Sequence, residues 1–117
     1  ITTHVLDTTN GVAAKNVELK LEFSATGPNL DTNEFKTLAH GTTDSDGRCS
    51  TLLNPSDELK SGIYRLTFLT KNYFDSLNQK TFFPITQITF EVPNPPENHY
   101  HVPLLISNYS YSSYRGT

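Results

Sequence analysis

The 117-residue sequence has no tryptophan, no methionine and a single cysteine. A lone Cys49 cannot close an intrachain disulfide, which fits a reducing compartment. No apolar run approaches the roughly 20 residues that a membrane-spanning helix needs. Neither sign of charge dominates: nine bases stand against twelve acids, for a net charge of −3. The two signs are interspersed, so there is no basic surface for a nucleic acid. Internal repeats and low-complexity segments are lacking, and so is the nucleophile elbow of a serine hydrolase. Asp44-Ser-Asp-Gly47 looks like part of a calcium loop, but Arg48 fills the fifth ligand position and no bidentate Glu follows. The chain opens on Ile1 rather than Met, which reads as a trimmed start. Asn108-Tyr-Ser matches the glycosylation sequon, and without a secretory signal it reads as accidental.

What is present is alternation with period two, the mark of a half-buried strand. At residues 99–107, Tyr100, Val102, Leu104 and Ile106 fall on one side. His99, His101, Pro103 and Ser107 fall on the other, with Leu105 the one apolar intruder. Val17, Leu19, Leu21 and Phe23 alternate with Glu18, Lys20, Glu22 and Ser24. Tyr64, Leu66 and Phe68 repeat the pattern, as do Ile88, Phe90 and Val92. Residues 1–7 form a short strand in which His4 points away from the core if Val5 points into it. Residues 35–43 form a strand of poor pattern, and residues 48–53 restart one after the Asp44–Gly47 turn.

Polar loops are expected at 25–33 and 54–57. Between 72 and 79 the period changes: Tyr73, Phe74 and Leu77 recur at three and four, consistent with one or two helical turns. Seven or eight short strands with turn chemistry between them predict an antiparallel β-sandwich of one domain, residues 1–117. The Tyr109–Thr117 tail is rich in tyrosine and carries Arg115. It has the look of something that docks rather than frays.

Two kinds of chemistry compete with a plain structural reading for the polar residues. His99-x-His101 on one strand face could hold a metal ion, but no nearby Cys, Asp or Glu is spaced to complete the ligand set. The plainer reading is two solvated histidines. Acid–base catalysis is the alternative, since imidazole titrates near neutral pH. It needs a partner for developing negative charge, and Arg48 offers a permanently charged fork of donors. Cys49 reads as a small core residue, and Tyr109, Tyr111 and Tyr114 as interface or core aromatics.

Taken together, His-Val-Leu-Asp near the start, Thr-Asp-Ser-Asp-Gly-Arg in the middle, and Tyr-His-Val-Pro-Leu-Leu with a terminal Tyr-Arg-Gly-Thr resemble the 5-hydroxyisourate hydrolases. These are the transthyretin-like proteins of purine catabolism. The likeness spans essentially the whole chain, and its most specific part is the terminal tetrapeptide. The resemblance implies an all-β, transthyretin-like sandwich of two four-stranded sheets with one short helix. It also implies a homotetramer, a dimer of dimers, with active sites at the dimer–dimer interface.

His4, Arg48 and His101 fall on the family's catalytic positions. Tyr114, Arg115, Gly116 and Thr117 fall on its terminal motif, and His4, Arg48 and this tail are the implied substrate-binding set. No metal or other cofactor is implied, and the partner is a small purine-derived substrate. His101 is the expected base for water, with His4 holding the substrate ring or completing the proton path. Ala13 and Thr117 depart from the usual Pro and Ser without touching the His/Arg set. The competing function is a transthyretin-type carrier of aromatic ligands. Cytosol and peroxisome both suit the pathway, although Arg-Gly-Thr is not a peroxisomal address.

Overall fold

A computed structural model of the chain describes residues 1–29, 31, 34–54 and 56–117. Parts of the expected loops at 25–33 and 54–57 lie outside these residues. The apolar rows identified above close on one another as two sheets. The first sheet is built around β1 (Thr2–Asp7) and β8 (His101–Ile106). β1 alternates strictly, with Thr3, Val5 and Asp7 buried and Thr2, His4 and Leu6 on the other face. β8 buries Val102, Leu104 and Ile106 against the same core, preceded by Tyr100.

The two strands run parallel, with Thr2 opposite His101 and His4 opposite Pro103. Among the described residues that is the one parallel pairing in an otherwise antiparallel sandwich. The other edge of β1 is shared by two short strands. β2 (Val12–Ala13) pairs at Leu6 and Asp7, and β5 (Arg48–Cys49) pairs at Thr3 and His4. β9 (Tyr111–Ser113) lies on the far side of β8. This sheet therefore has five strands rather than four, because two short strands occupy one lane.

The second sheet has the order β4-β3-β6-β7, from β4 (Lys36–Thr42), β3 (Glu18–Ser24), β6 (Gly62–Phe68) and β7 (Thr86–Val92). Leu19, Leu21, Tyr64, Leu66 and Phe68 supply its buried face. The weak pattern at residues 35–43 has a structural cause: β4 is an edge strand with little burial and an irregular register opposite Leu21 and Glu22. β5 is shorter than the expected 48–53 because its antiparallel partner β1 begins at Thr2, so the ladder runs out of chain.

The one helix among the described residues, α1 (Thr70–Ser76), starts two residues before the expected turn. Tyr73 and Phe74 anchor it in the core, and Asn78 at φ 58° follows its end. Among the described residues no helix is long and apolar enough to cross a membrane.

Glu22 departs from simple alternation. It sits on the outward side of β3 yet is only 3% exposed. Arg65 grips its carboxylate with two hydrogen bonds, Nε to Oε1 at 3.1 Å and Nη2 to Oε2 at 2.6 Å. The Thr67 hydroxyl donates a third at 2.7 Å, and the guanidinium stacks over Phe35. Burial pushes this carboxyl up, but the bonds from Arg65 and Thr67 outweigh burial and hold it below its ordinary range. Arg65→Ala strands a covered carboxylate, so urea denaturation at neutral pH should show a loss of about 2 kcal/mol. Because the folded-state pKa is depressed, Glu22's contribution is complete above its unfolded value of about 4.3 and fades as pH falls through the folded one.

Candidate active site

Three chain segments far apart in sequence, β1, the turn into β5 and β8, converge on the outward face of the first sheet. The Asp44–Gly47 turn delivers Arg48 to His4 of β1. Gly47 adopts φ +77°, and a Cβ there would lie 2.4 Å from the Val5 carbonyl, so the turn needs glycine. The Val5 N–H donates to the Gly47 carbonyl at 2.7 Å. This clamp sets Arg48 directly opposite His4 across the β1–β5 ladder.

The Asp44 carboxylate accepts N–H bonds from Asp46 at 2.9 Å and Arg48 at 3.0 Å. Those backbone bonds, followed by the positive charge of Arg48 and His4, hold its carboxyl below the usual range. The Asp46 carbonyl lies 2.9 Å from His4 Nε2. A carbonyl can only accept, so His4 Nε2 carries a proton and the neutral ring keeps its free lone pair on Nδ1.

His101 comes from β8, beside β1 in the parallel pairing. Its Nδ1 lies 2.7 Å from the Thr2 hydroxyl. His99 Nε2 lies 3.2 Å from that same hydroxyl. The two imidazoles are nearly parallel, 13° apart, with centroids separated by 6.4 Å. Burial, then the charges of Arg48, His99 and His4, lower the proton affinity of His101 below the ordinary imidazole value. Such a ring is neutral at physiological pH, as a general base must be.

The terminal tetrapeptide divides. The Gly116 N–H donates to the His101 carbonyl at 2.8 Å, closing an isolated bridge at the end of β8. A Cβ on Gly116 would come within 2.6 Å of His101 Cδ2 and 3.2 Å of Pro103 Cγ. Gly116→Ala must therefore displace either the tail or the ring. We expect it to lower kcat about tenfold while moving the thermal midpoint little, measured on the same purified sample. Thr117 follows as an exposed residue.

Arg115 is not part of the His/Arg cluster. It forms an ion pair with Glu97 and lies 4.9 Å over the Tyr100 ring, on the core-facing side of the strand. Its evident work in this protomer is to hold the tail down. Tyr114 is 61% exposed. It lines, with Ser113, Arg115, Ile88, Phe90 and Tyr100, a cavity of about 510 Å³ at the open edge between the sheets.

The structure thus gathers His4, Arg48, His101 and Gly116, with His99 alongside, and leaves Tyr114 and Arg115 at the neighbouring edge. Thr2, Gly47 and the Asp46 carbonyl are the positions that motif reading passed over. Thr2 was within reach of it, since a period of two puts residue 2 on the face of residue 4. Among the described residues no group of three or more His, Cys, Asp or Glu side chains is placed to hold a metal ion.

Comparison with known proteins places this geometry in a lineage. The HIUase/Transthyretin family profile matches residues 1–116. A 5-hydroxyisourate hydrolase of Mus musculus is 38% identical over 117 residues, all of this chain and 94% of the mouse protein. The solved Klebsiella pneumoniae 5-hydroxyisourate hydrolase superposes with a TM-score of 0.80 at 33% identity, covering 99% of this chain and 96% of that one. Sea bream transthyretin, solved in complex with thyroxine, superposes with a TM-score of 0.83 at 27% identity, covering 98% and 92%. With the fold, the profile and the full-length likeness in agreement, the chain belongs to the HIUase/transthyretin family.

Proposed function

We propose that this protein hydrolyses 5-hydroxyisourate to 2-oxo-4-hydroxy-4-carboxy-5-ureidoimidazoline in urate breakdown, with no cofactor. The observation that carries the reading is the cluster itself: two half-buried imidazoles and an exposed guanidinium on one face of the sheet, one imidazole tuned toward its neutral form. The substrate is a small, planar, oxygen-rich ring. Arg48 binds it and offsets the charge that gathers on the ring carbonyl as water adds. His101 takes a proton from that water. The ring C–N bond then breaks, the leaving nitrogen receives a proton from the imidazolium, and the carbonyl carbon becomes a carboxyl group that stays attached to the opened product. His4, its orientation fixed by the Asp46 carbonyl, holds the ring or passes the proton. Gly116 keeps the tail against His101, with Thr117 beside it closing the pocket and Tyr114 flanking it from the neighbouring edge.

A homotetramer completes the site. The cluster faces outward, with Leu6 and Leu105 half-buried beside it and paired in register. A second dimer laid over this face would turn an open patch into a water-poor groove. The same polarity argues against a carrier of greasy aromatic ligands. A base with depressed proton affinity must be neutral to act. Turnover followed from about pH 8 to about pH 5 should therefore hold through the ordinary imidazole range and fall only below about 6.5. Turnover that never exceeds one equivalent per protomer would favour the carrier instead.

A further inference from the structure

We propose that the Thr2 hydroxyl and the His99 ring form a hydrogen-bonded relay behind His101, which sets the nitrogen of His101 that carries the proton. The proposal rests on His101 being the base and identifies Thr2 and His99 as positioning residues for it. Its basis is geometric. One hydroxyl, Thr2 Oγ1, stands 2.7 Å from His101 Nδ1 and 3.2 Å from His99 Nε2. The register that puts Thr2 opposite His101 across β1 and β8 fixes the first contact. The near-parallel rings fix the second.

A threonine hydroxyl has one proton to give and lone pairs to receive. With both contacts made, its direction is all-or-none. When His99 Nε2 carries a proton, it donates to Oγ1, and the hydroxyl gives its own proton to His101 Nδ1. His101 then keeps its proton on Nε2 and is an acid toward the substrate. When His99 Nε2 is bare, the hydroxyl donates to His99 and accepts from His101 Nδ1–H. His101 Nε2 is then free to take a proton from water.

His99 is exposed while His101 is half-buried, so the relay joins the reacting ring to solvent. Arg48 from β5, His4 from β1 and the charge of His99 itself also bear on the proton affinity of His101, but through space. Their influence is the same with or without the Thr2 hydroxyl. His99 is assigned no part in the hydrolysis described above.

The test is nitrogen-detected NMR of the His101 imidazole in the free protein, on wild type, Thr2→Val, Thr2→Ser and His99→Phe. In wild type the His101 tautomer should switch as His99 Nε2 gains or loses its proton, followed across pH. Thr2→Val and His99→Phe should each abolish that response, and Thr2→Ser should keep it. In parallel, Thr2→Val should lower kcat about tenfold to a hundredfold with KM little changed, and Thr2→Ser should restore it. A His101 tautomer that tracks His99 equally in wild type and Thr2→Val would overturn the relay. Should Thr2→Val fail to fold, an unchanged tautomer response in His99→Phe decides against it just as firmly. The NMR readout needs no substrate. Absence of the coupling in wild type with turnover intact would therefore condemn only the relay, and coupling without turnover only the proposed hydrolysis.

Discussion

His101→Asn should lower the turnover of 5-hydroxyisourate by about 10²–10⁴-fold without unfolding the protein. Asparagine can place an amide close to where Nδ1 meets the Thr2 hydroxyl, so the local hydrogen bond has a substitute. What it lacks is a nitrogen that takes up and returns a proton near neutral pH. The core makes little demand on this side chain, because the neighbours that fill the interior are Tyr100 and Val102. Circular dichroism and the thermal midpoint should therefore match wild type while the rate does not. Near-normal turnover in a folded variant would remove His101 from the chemistry.

Arg48→Glu should be comparably severe, about 10²–10³-fold or more, for a different reason. The guanidinium is the one permanent positive charge placed opposite His4. Reversing its sign repels an electron-rich substrate and destabilises the charge that develops as water adds. It also brings a second carboxylate beside Asp44 at the turn. A further consequence separates this from a binding defect alone. Arg48 helps to lower the proton affinity of His101. Its removal should move the acidic limb of the residual pH–rate profile to higher pH, and Arg48→Gln should show the same shift in milder form. A residual limb that stays in place would show that the two groups do not share a site.

Much of this arrangement could be read from the residues, and the failures have physical causes. Period-two alternation gave β1, β3, β6, β7 and β8, because each has one face in the core and one outside. It also put His101 and His4 on outward faces. Local pattern could not show that β1 and β8 run parallel and adjacent, a pairing of residues about a hundred positions apart. Nor could it show that β2 and β5 share one edge of β1, since each is only two residues long.

Glu22 looked like a solvent-facing acid in a clean alternation. It is covered because Arg65 and Phe35 lie across it, and neither is a sequence neighbour. Within the cluster, the resemblance to known hydrolases named His4, Arg48 and His101, but it grouped Arg115 with them. The Glu97 carboxylate and the Tyr100 ring draw Arg115 to the other side of the strand. Thr2 was missed because a hydroxyl near a chain start carries no motif, and its importance appears only once His99 and His101 are seen on either side of it.

The most direct measurement generates 5-hydroxyisourate from urate, in large excess over protein, and follows its ultraviolet absorbance at neutral pH. Wild-type protein should consume many equivalents per protomer, with a rate proportional to protein concentration and unchanged by chelator. Decay no faster than in buffer would contradict the account at its centre, however well the His4, Arg48 and His101 side chains are placed.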